Sequence, residues 1–203
     1  MLTHRGKSAL VILSVVWLGG TQAQNSGSYG YETPLASVTA LHEGLIAAAR
    51  DEPTSVRQRY QQLAPIISAT HDLPFIAQFA TRRYWDDFGS EQREIFIERF
   101  SQLSSMTYAA RFESVSTGTF QIERSEEMES GRVQVIATIR RDAQLDIPLE
   151  YLLHETPAGW KIVNVIADGV SDLALKRAEY RAVMEDGGFA DLLAYIEERL
   201  AAL

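Results

Sequence analysis

Residues 159–180 read GWKIVNVIADGVSDLALKRAEY, and this stretch decides the fold. Up to Ala167, successive residues alternate between two faces, which is typical of a β-strand that is buried in a sheet. Asp168 and Gly169 then form a turn, and Ser171 is placed to cap the helix that follows. The stretch therefore predicts a sheet whose last strand turns directly into a covering helix.

Three segments upstream show the same period of two residues. They begin near Thr117, Val133 and Ile147. The last three of the four strands are connected over a few residues each, which favours an antiparallel meander over parallel strands. The sequence therefore predicts a mostly antiparallel sheet of four strands.

Helical spacing of apolar residues precedes and follows these strands. The second predicted helix ends near Pro65, because proline removes a backbone donor. The last helical region breaks at Gly187–Gly188. Helices followed by a sheet and then by more helices form an α+β pattern. The predicted helices begin near Leu35, Ser55, Asp72, Ser90, Ser171 and Phe189.

Residues 1–23 have the pattern of a secretory signal peptide. The first residues are basic, and the apolar run from Ala9 to Leu18 is about half of the roughly 20 residues that cross a bilayer. This pattern predicts cleavage after Ala23 and export to the periplasm. Residues 24–33 are predicted to be a flexible leader, and residues 34–203 a single domain.

The composition excludes several classes of function. Without Arg5 and Lys7, 17 basic side chains face 27 acidic ones, so the mature chain has a charge near −10. Such a chain is unsuited to nucleic acid, whose phosphates require a basic surface, and anionic membranes repel it. The absence of cysteine excludes disulfides and thiolate metal sites.

No motif for catalysis or cofactor binding is present: the sequence has no phosphate-binding glycine loop, no nucleophile elbow and no zinc-protease motif. The histidines at 42, 71 and 154 are not at ligand spacing, so neither a metal nor a cofactor is predicted. Asp168 could act as a general base at the rim of the sheet. The favoured interpretation is structural, with Asp168 bonding the backbone of the turn.

Aromatic residues on the helices, three basic pairs and a further arginine remain to be explained. A stripe of aromatic residues is usually core, but a curved sheet covered by helices commonly leaves a deep apolar cavity between the layers. The basic residues could surround the mouth of such a cavity and meet a phosphate. They could equally be solvated surface charges. They are Arg82–Arg83, Arg140–Arg141, Lys176–Arg177 and Arg181.

Three groups of motifs, taken together, resemble the MlaC-type periplasmic lipid-binding proteins, also called the toluene-tolerance family. The resemblance extends from Pro34 to Leu200, and its end, Ser171–Tyr180, is most similar to the hopanoid-associated HpnM branch, where most phospholipid-carrying members differ. The motifs are Phe75–Trp85 with Ser90–Arg93 and the Phe96/Phe100 pair, Gly118–Ile122, and Gly159–Ile162 running into Asp168–Ser171.

This resemblance implies a curved sheet similar to the NTF2-like cone, with helices enclosing an apolar pocket for lipid tails. It implies a monomeric carrier, not an enzyme, that shuttles phospholipid or hopanoid between the inner and outer membranes. The implied partners are an inner-membrane ABC transporter with an MCE-type ring subunit and an outer-membrane lipoprotein complex. A small isomerase or hydratase using Asp168 or His154, and a ligand-free assembly adaptor, are the alternatives.

We expect the pocket lining to come from both layers. A register error of one residue would exchange the sheet residues for their neighbours. The helices are predicted to contribute Phe75, Phe79, Phe96, Phe100, Leu103 and Tyr108, and the sheet Val135, Ile139, Leu149, Tyr151 and Ile166.

Overall fold

An antiparallel sheet with helices packed on it forms the molecule. The computed structural model describes residues 30–50, 55–111, 118–141 and 144–203. The sheet has the strand order β1-β2-β3-β4-β5. In chain order the elements are α1 (Pro34–Arg50), α2 (Val56–Thr70), α3 (Leu73–Ala80), a 3₁₀ turn (Trp85–Asp87), α4 (Ser90–Ala110), β1 (Gly118–Glu127), β2 (Val133–Arg141), β3 (Ile147–Thr156), β4 (Gly159–Ala167), β5 (Val170–Ser171) and α5 (Asp172–Ala201).

The α+β prediction is confirmed, with one additional strand. The two-residue strand β5 pairs with the end of β4, Ala167 facing Val170. The turn between these strands has positive φ at both central residues, 50° at Asp168 and 76° at Gly169. Such a turn joins two antiparallel strands tightly and suits Asp-Gly. The position of Asp168 in a turn therefore agrees with the structural interpretation, and the hydrogen bond found there runs from its own N–H to the Pro148 carbonyl.

Helix α2 continues past the residue where the sequence predicts its end. Pro65 lies inside the helix, which begins with a capping box between Ser55 and Gln58. Leu63 and Ile67, on either side of the proline, are completely buried. Burial of these side chains offsets the hydrogen bond that proline removes, so the helix extends to Thr70.

A β-bulge in β4 changes which residues face the helices. Leu152 pairs with Asn164 and Leu153 pairs with Ile162, so Val163 is an extra residue opposite no partner. An extra residue reverses the alternation beyond it. The strict alternation that the sequence predicts for this strand is therefore wrong after Ile162.

The chain ends also differ in part from the predictions. The predicted signal peptide and leader residues 24–29 lie outside the described residues. Tyr31 forms a bridge with Trp160, so the described part of the predicted leader is held against the β3–β4 hairpin.

In α5, Gly188 has φ 74° and ψ −158°, which interrupts the helix where the sequence predicts a break. Among the described helices, none is sufficiently long and apolar to cross a membrane.

Phe96 is the centre of the aromatic core. Its side chain is completely buried. Its ring centre lies 6.1 Å from Phe88, 6.0 Å from Phe100 and 5.9 Å from Tyr180. These rings come from α4, α5 and the segment between α3 and α4, so Phe96 ties the helical layer together.

We expect Phe96→Ala to lower the free energy of unfolding by about 3–5 kcal/mol, because truncation leaves a cavity that neighbouring rings cannot fill. Urea denaturation measures the change. Phe79→Ala is the matched control, since Phe79 is half-buried at the surface and its loss leaves no closed cavity. Equal destabilisation by the two substitutions would contradict the central role of Phe96.

Candidate functional site

An apolar cavity of about 230 Å³ lies between the sheet and helices α3, α4 and the start of α5. The helices contribute its upper wall and strands β2, β3 and β4 its floor. The floor residues Ile139, Leu149 and Tyr151 are buried. The remaining lining consists of Leu45, His71, Leu73, Ile76, Phe100, Ser104, Thr107, Tyr108, Arg111, Phe120, Ile147, Val163, Asn164, Val165, Ala167, Asp172, Leu173 and Lys176.

The first buried polar group in this apolar wall is the pair of His71 and Tyr108. The His71 Nε2 atom lies 3.0 Å from the Tyr108 hydroxyl, and Nδ1 lies 2.9 Å from Thr70 Oγ1. The Thr70 hydroxyl already donates to the Ile66 carbonyl. We therefore assign the proton of the neutral ring to Nδ1, which donates to Thr70, while Nε2 accepts from Tyr108.

The second pair is His42 and Tyr151. His42 comes from α1, and its Nε2 atom lies 2.9 Å from the Tyr151 hydroxyl on β3. The imidazole also stacks on Phe120, with ring centres 4.2 Å apart. Both tyrosine hydroxyls thus have a histidine partner, so the lining can remain largely apolar without leaving either hydroxyl unsatisfied.

Burial keeps both pairs neutral. It lowers the pKa of His42 from 6.5 to about 4, and burial likewise lowers the pKa of His71 to about 4. Burial also raises the pKa of Tyr108 and of Tyr151 well above the ordinary value of a phenol. In all four cases the low-polarity surroundings disfavour the charged form. At neutral pH this end of the cavity therefore carries no charge.

The open end of the cavity is polar and charged. Arg111 ends α4 and is exposed, while Asp172 and Lys176 lie one turn apart at the start of α5 and form an ion pair. Asn164 fixes this start of α5 on β4, since its side-chain oxygen accepts hydrogen bonds from Ser171 Oγ (3.1 Å) and the Leu173 N–H (3.2 Å). The site is thus an apolar interior with a zwitterionic rim.

Two of the depressions that adjoin the cavity are lined by residues predicted for the site. One, of about 340 Å³, lies between α4 and α5 and shares Arg111, Asp172 and Lys176 with the cavity rim. The other, of about 560 Å³, lies between α3 and α5, and among the described residues it shares Val163, Asn164 and Leu173 with the cavity. The first depression can extend the cavity, whereas the second is separated from it by a wall of three residues.

The comparisons with known proteins agree with this architecture. A family model described as "MlaC protein" matches residues 39–198. The chain belongs to the MlaC family. A solved structure of the phospholipid-binding protein from Ralstonia solanacearum, in complex with a phospholipid, is similar in fold, with a TM-score of 0.73 and 21% sequence identity over 82% of this chain and 96% of that one. No curated protein matches the chain in sequence.

Five of the eleven residues predicted to line a pocket lie around the cavity of this MlaC-family chain: Phe100, Tyr108, Ile139, Leu149 and Tyr151. Their role in binding stays a prediction. The remaining six lie elsewhere: Leu103 in the depression between α4 and α5, Phe75 and Phe79 in the groove between α3 and α5, Phe96 and Val135 in the closed core, and Ile166 on the opposite face of β4.

The bulge in β4 explains the position of Ile166. Val165 pairs with Tyr151 and Ala167 pairs with Leu149, so these two residues share the cavity face of β3. Ile166 pairs with Glu150 on the other face. The sequence of a single apolar strand does not indicate where a bulge lies. It therefore does not predict that Val163, Val165 and Ala167 line the cavity.

Other lining residues were missed because their signal is ambiguous. Leu73 and Ile76 belong to a helix of eight residues, in which helical period alone does not distinguish a core face from a cavity face. The sequence predicts no metal-binding role for His71 and gives no direct indication that it lines a cavity. Its position directly after a helix and before Asp72, at the start of the next helix, was the available signal that it is held between two helices.

The basic clusters do not converge on one mouth. Of the predicted set, Lys176 alone lines the cavity. Arg140 forms an ion pair with Asp146 at 2.7 Å, and Arg141 donates to the Leu145 carbonyl, so both stabilise the β2–β3 connection. The remaining four line the groove between α3 and α5: Arg82, Arg83, Arg177 and Arg181.

The residues of the enzyme alternative lie away from the cavity. Asp168 is in the β4–β5 turn, where its N–H donates to the Pro148 carbonyl at 3.0 Å. His154 Nε2 lies 2.8 Å from Asp72 Oδ2, and the other oxygen of Asp72 caps α3. His154 thus connects β3 to α3. Within the described ranges, no cluster of histidine, aspartate and glutamate could hold a metal ion.

Proposed function

We propose that this MlaC-family protein is a periplasmic lipid carrier that holds an apolar tail in the cavity between the sheet and helices α3, α4 and α5. The observation that carries the proposal is the combination of an apolar, electrically neutral interior with a charged rim at one end. This combination suits a molecule with an apolar body and a polar end. The phospholipid in the similar Ralstonia solanacearum structure supports the same class of ligand.

The energy of a lipid tail explains why an enclosed cavity is needed. Burial is worth about 0.8 kcal/mol per methylene, so a tail of about sixteen carbons needs on the order of 12 kcal/mol of apolar contact after it leaves a bilayer. A cavity that covers only part of the tail would supply only part of this free energy. Extraction of the lipid from a bilayer without a partner would therefore be slow. We therefore propose that lipid enters and leaves through docked partners.

We propose that these partners are an inner-membrane ABC transporter with an MCE-type ring subunit and an outer-membrane lipoprotein complex. The signal-peptide pattern of residues 1–23 supports a periplasmic location. ATP hydrolysis by the transporter would supply the energy for transfer. The family resemblance supports these partners, and the resemblance of residues 171–180 to the HpnM branch adds a hopanoid to the possible cargoes.

The rim offers a way to distinguish the two cargoes. A phospholipid can place its phosphate beside Lys176 and Arg111, which carry positive charge at the open end. A hopanoid has no phosphate, but its rigid apolar body would fill the same interior. A lipid with two chains needs more space than the cavity alone, and we propose that the second chain enters the depression between α4 and α5, where Leu175 and Leu203 are exposed.

Native mass spectrometry of the mature protein from periplasm tests the carrier function. We expect an added mass that organic solvent removes, and tandem mass spectrometry of the extract then identifies a phospholipid or a hopanoid. Denatured protein measured in parallel supplies the mass of the bare chain. A native mass equal to that of the bare chain, both as isolated and after incubation with vesicles of either lipid, would refute the proposal.

A further inference from the structure

A second concave surface, here called the arginine groove, lies between α3 and α5. Its apolar floor includes Leu152, Val163 and Leu173, and its volume is about 560 Å³. The carrier function proposed above does not use this groove, because the groove lies beyond the wall that closes the cavity. Five arginines line it: Arg82, Arg83, Arg132, Arg177 and Arg181.

Two of these arginines share one carboxylate, and three have no ion pair within the described residues. Arg83 and Arg181 both contact Glu185, at 3.2 and 2.8 Å. Within the described parts of the chain, no carboxylate lies at ion-pair distance from the three others, and none lines the groove. The three without an ion pair are Arg82, Arg132 and Arg177. In a chain with a net charge of −8, this is a local excess of positive charge.

Two aromatic rings hold these three guanidinium groups in place. Those of Arg82 and Arg177 lie 6.0 and 5.5 Å from the centre of the Phe79 ring, and that of Arg132 lies 5.8 Å from Phe75. The two rings are stacked, with centres 6.0 Å apart. Cation–π contact positions a guanidinium group while leaving its N–H donors available.

We propose that the arginine groove binds an acidic segment of a partner protein, with carboxylates on the guanidinium groups and apolar side chains on the floor. The positive groups are distributed over two rings and come from the turn after α3, the residue before β2, and α5. This distribution suits several carboxylates along a peptide better than one phosphate. A concave surface also admits a peptide more readily than a flat bilayer, which the negative charge of the whole chain repels.

Fluorescence anisotropy with a labelled peptide tests this proposal. The probe has about ten residues, which span about 33 Å when extended, with alternating glutamate and leucine. We expect saturable binding that weakens with salt. The same peptide with glutamine in place of glutamate should bind at least about tenfold more weakly, because the charge-assisted hydrogen bonds are lost.

Charge reversal on the protein locates the binding site. Arg177→Glu should weaken binding of the acidic peptide at least about fivefold, since it adds repulsion in addition to removing attraction. Arg57→Glu, an exposed position on α2 outside the groove, has the same change in net charge and should alter binding less than about twofold. Equal effects of the two substitutions would overturn the proposal, because they would indicate only long-range attraction.

Lipid headgroups and free phosphate are the competing occupants. Two further measurements accompany the peptide assay. One is binding of wild type and Arg177→Glu to vesicles of anionic phospholipid, and the other is competition of inorganic phosphate with the peptide. Binding of wild type to vesicles or phosphate, with no binding of the acidic peptide, would overturn the proposal. Normal lipid content in Arg177→Glu together with weakened peptide binding supports it. Failure of the carrier function would instead be seen as absence of lipid in wild type, independently of the peptide result.

Discussion

Val165→Trp should remove most of the bound lipid while the protein stays folded. Val165 lines the cavity and is half-buried, so an indole at this position occupies space that a lipid tail would fill. Excluding even two methylenes weakens binding by about 1.6 kcal/mol, or about fifteenfold. The lipid-to-protein ratio by native mass spectrometry measures the loss, and circular dichroism checks the fold.

The neighbouring residue supplies the control. Ile166 is adjacent in sequence and also half-buried, but it lies on the opposite face of β4. Ile166→Trp makes a similar increase in volume outside the cavity, and its lipid content should equal that of wild type. Loss of lipid in Ile166→Trp together with retention in Val165→Trp would contradict this assignment. It would indicate that β4 alternates strictly, as the sequence predicts, without a bulge at Val163.

This pair of substitutions also marks the boundary of what the sequence could reveal. The periodicity of the sequence was sufficient to predict the order of helices and strands, the break at Gly188 and the turn at Asp168, because these depend on local backbone preferences. The path of β4 was not predictable. An extra residue at Val163 is stabilised by burial between layers, and that burial depends on residues far away in the chain.

The division between core and cavity was equally inaccessible. Phe96 and Phe100 lie one helical turn apart on α4, and both are completely buried. Phe100 lines the cavity, whereas Phe96 is enclosed by other aromatic rings. Helical spacing assigns both to the same face, and the packing of Trp85 and Phe88 against Phe96 distinguishes it from Phe100.

The second large effect is a loss of stability in acid. His42 and His71 each have a folded-state pKa of about 4, lowered by burial from 6.5. Between these values the unfolded chain binds protons that the folded protein does not. The stability that these two neutral histidines contribute is therefore fully present above pH 6.5, decreases as the pH falls, and is lost near pH 4. Each histidine accounts for about 3 kcal/mol of this loss, at about 1.4 kcal/mol per pH unit.

Urea denaturation at several pH values from 7 to 4 measures this dependence. His42→Gln and His71→Gln should each reduce the slope by up to about 1.4 kcal/mol per pH unit, because each removes one titrating group. Carboxylates contribute equally to wild type and variants, so the difference between the slopes reports the histidine alone. Unchanged slopes in both variants would contradict the assignment of these residues as buried neutral bases.

Protonation should also affect the cavity itself. The neutral His71 ring accepts a hydrogen bond from Tyr108. The protonated ring has no acceptor, so its Nε2–H donates to the Tyr108 oxygen and the tyrosine O–H loses its acceptor. Tyr108 lines the cavity, and a charge created beside it opposes an apolar tail.

We therefore expect wild type to release lipid as the pH approaches 4. His71→Gln should retain its lipid at lower pH than wild type, because its amide remains neutral. Release at the same pH in both proteins would show that acid acts elsewhere in the molecule.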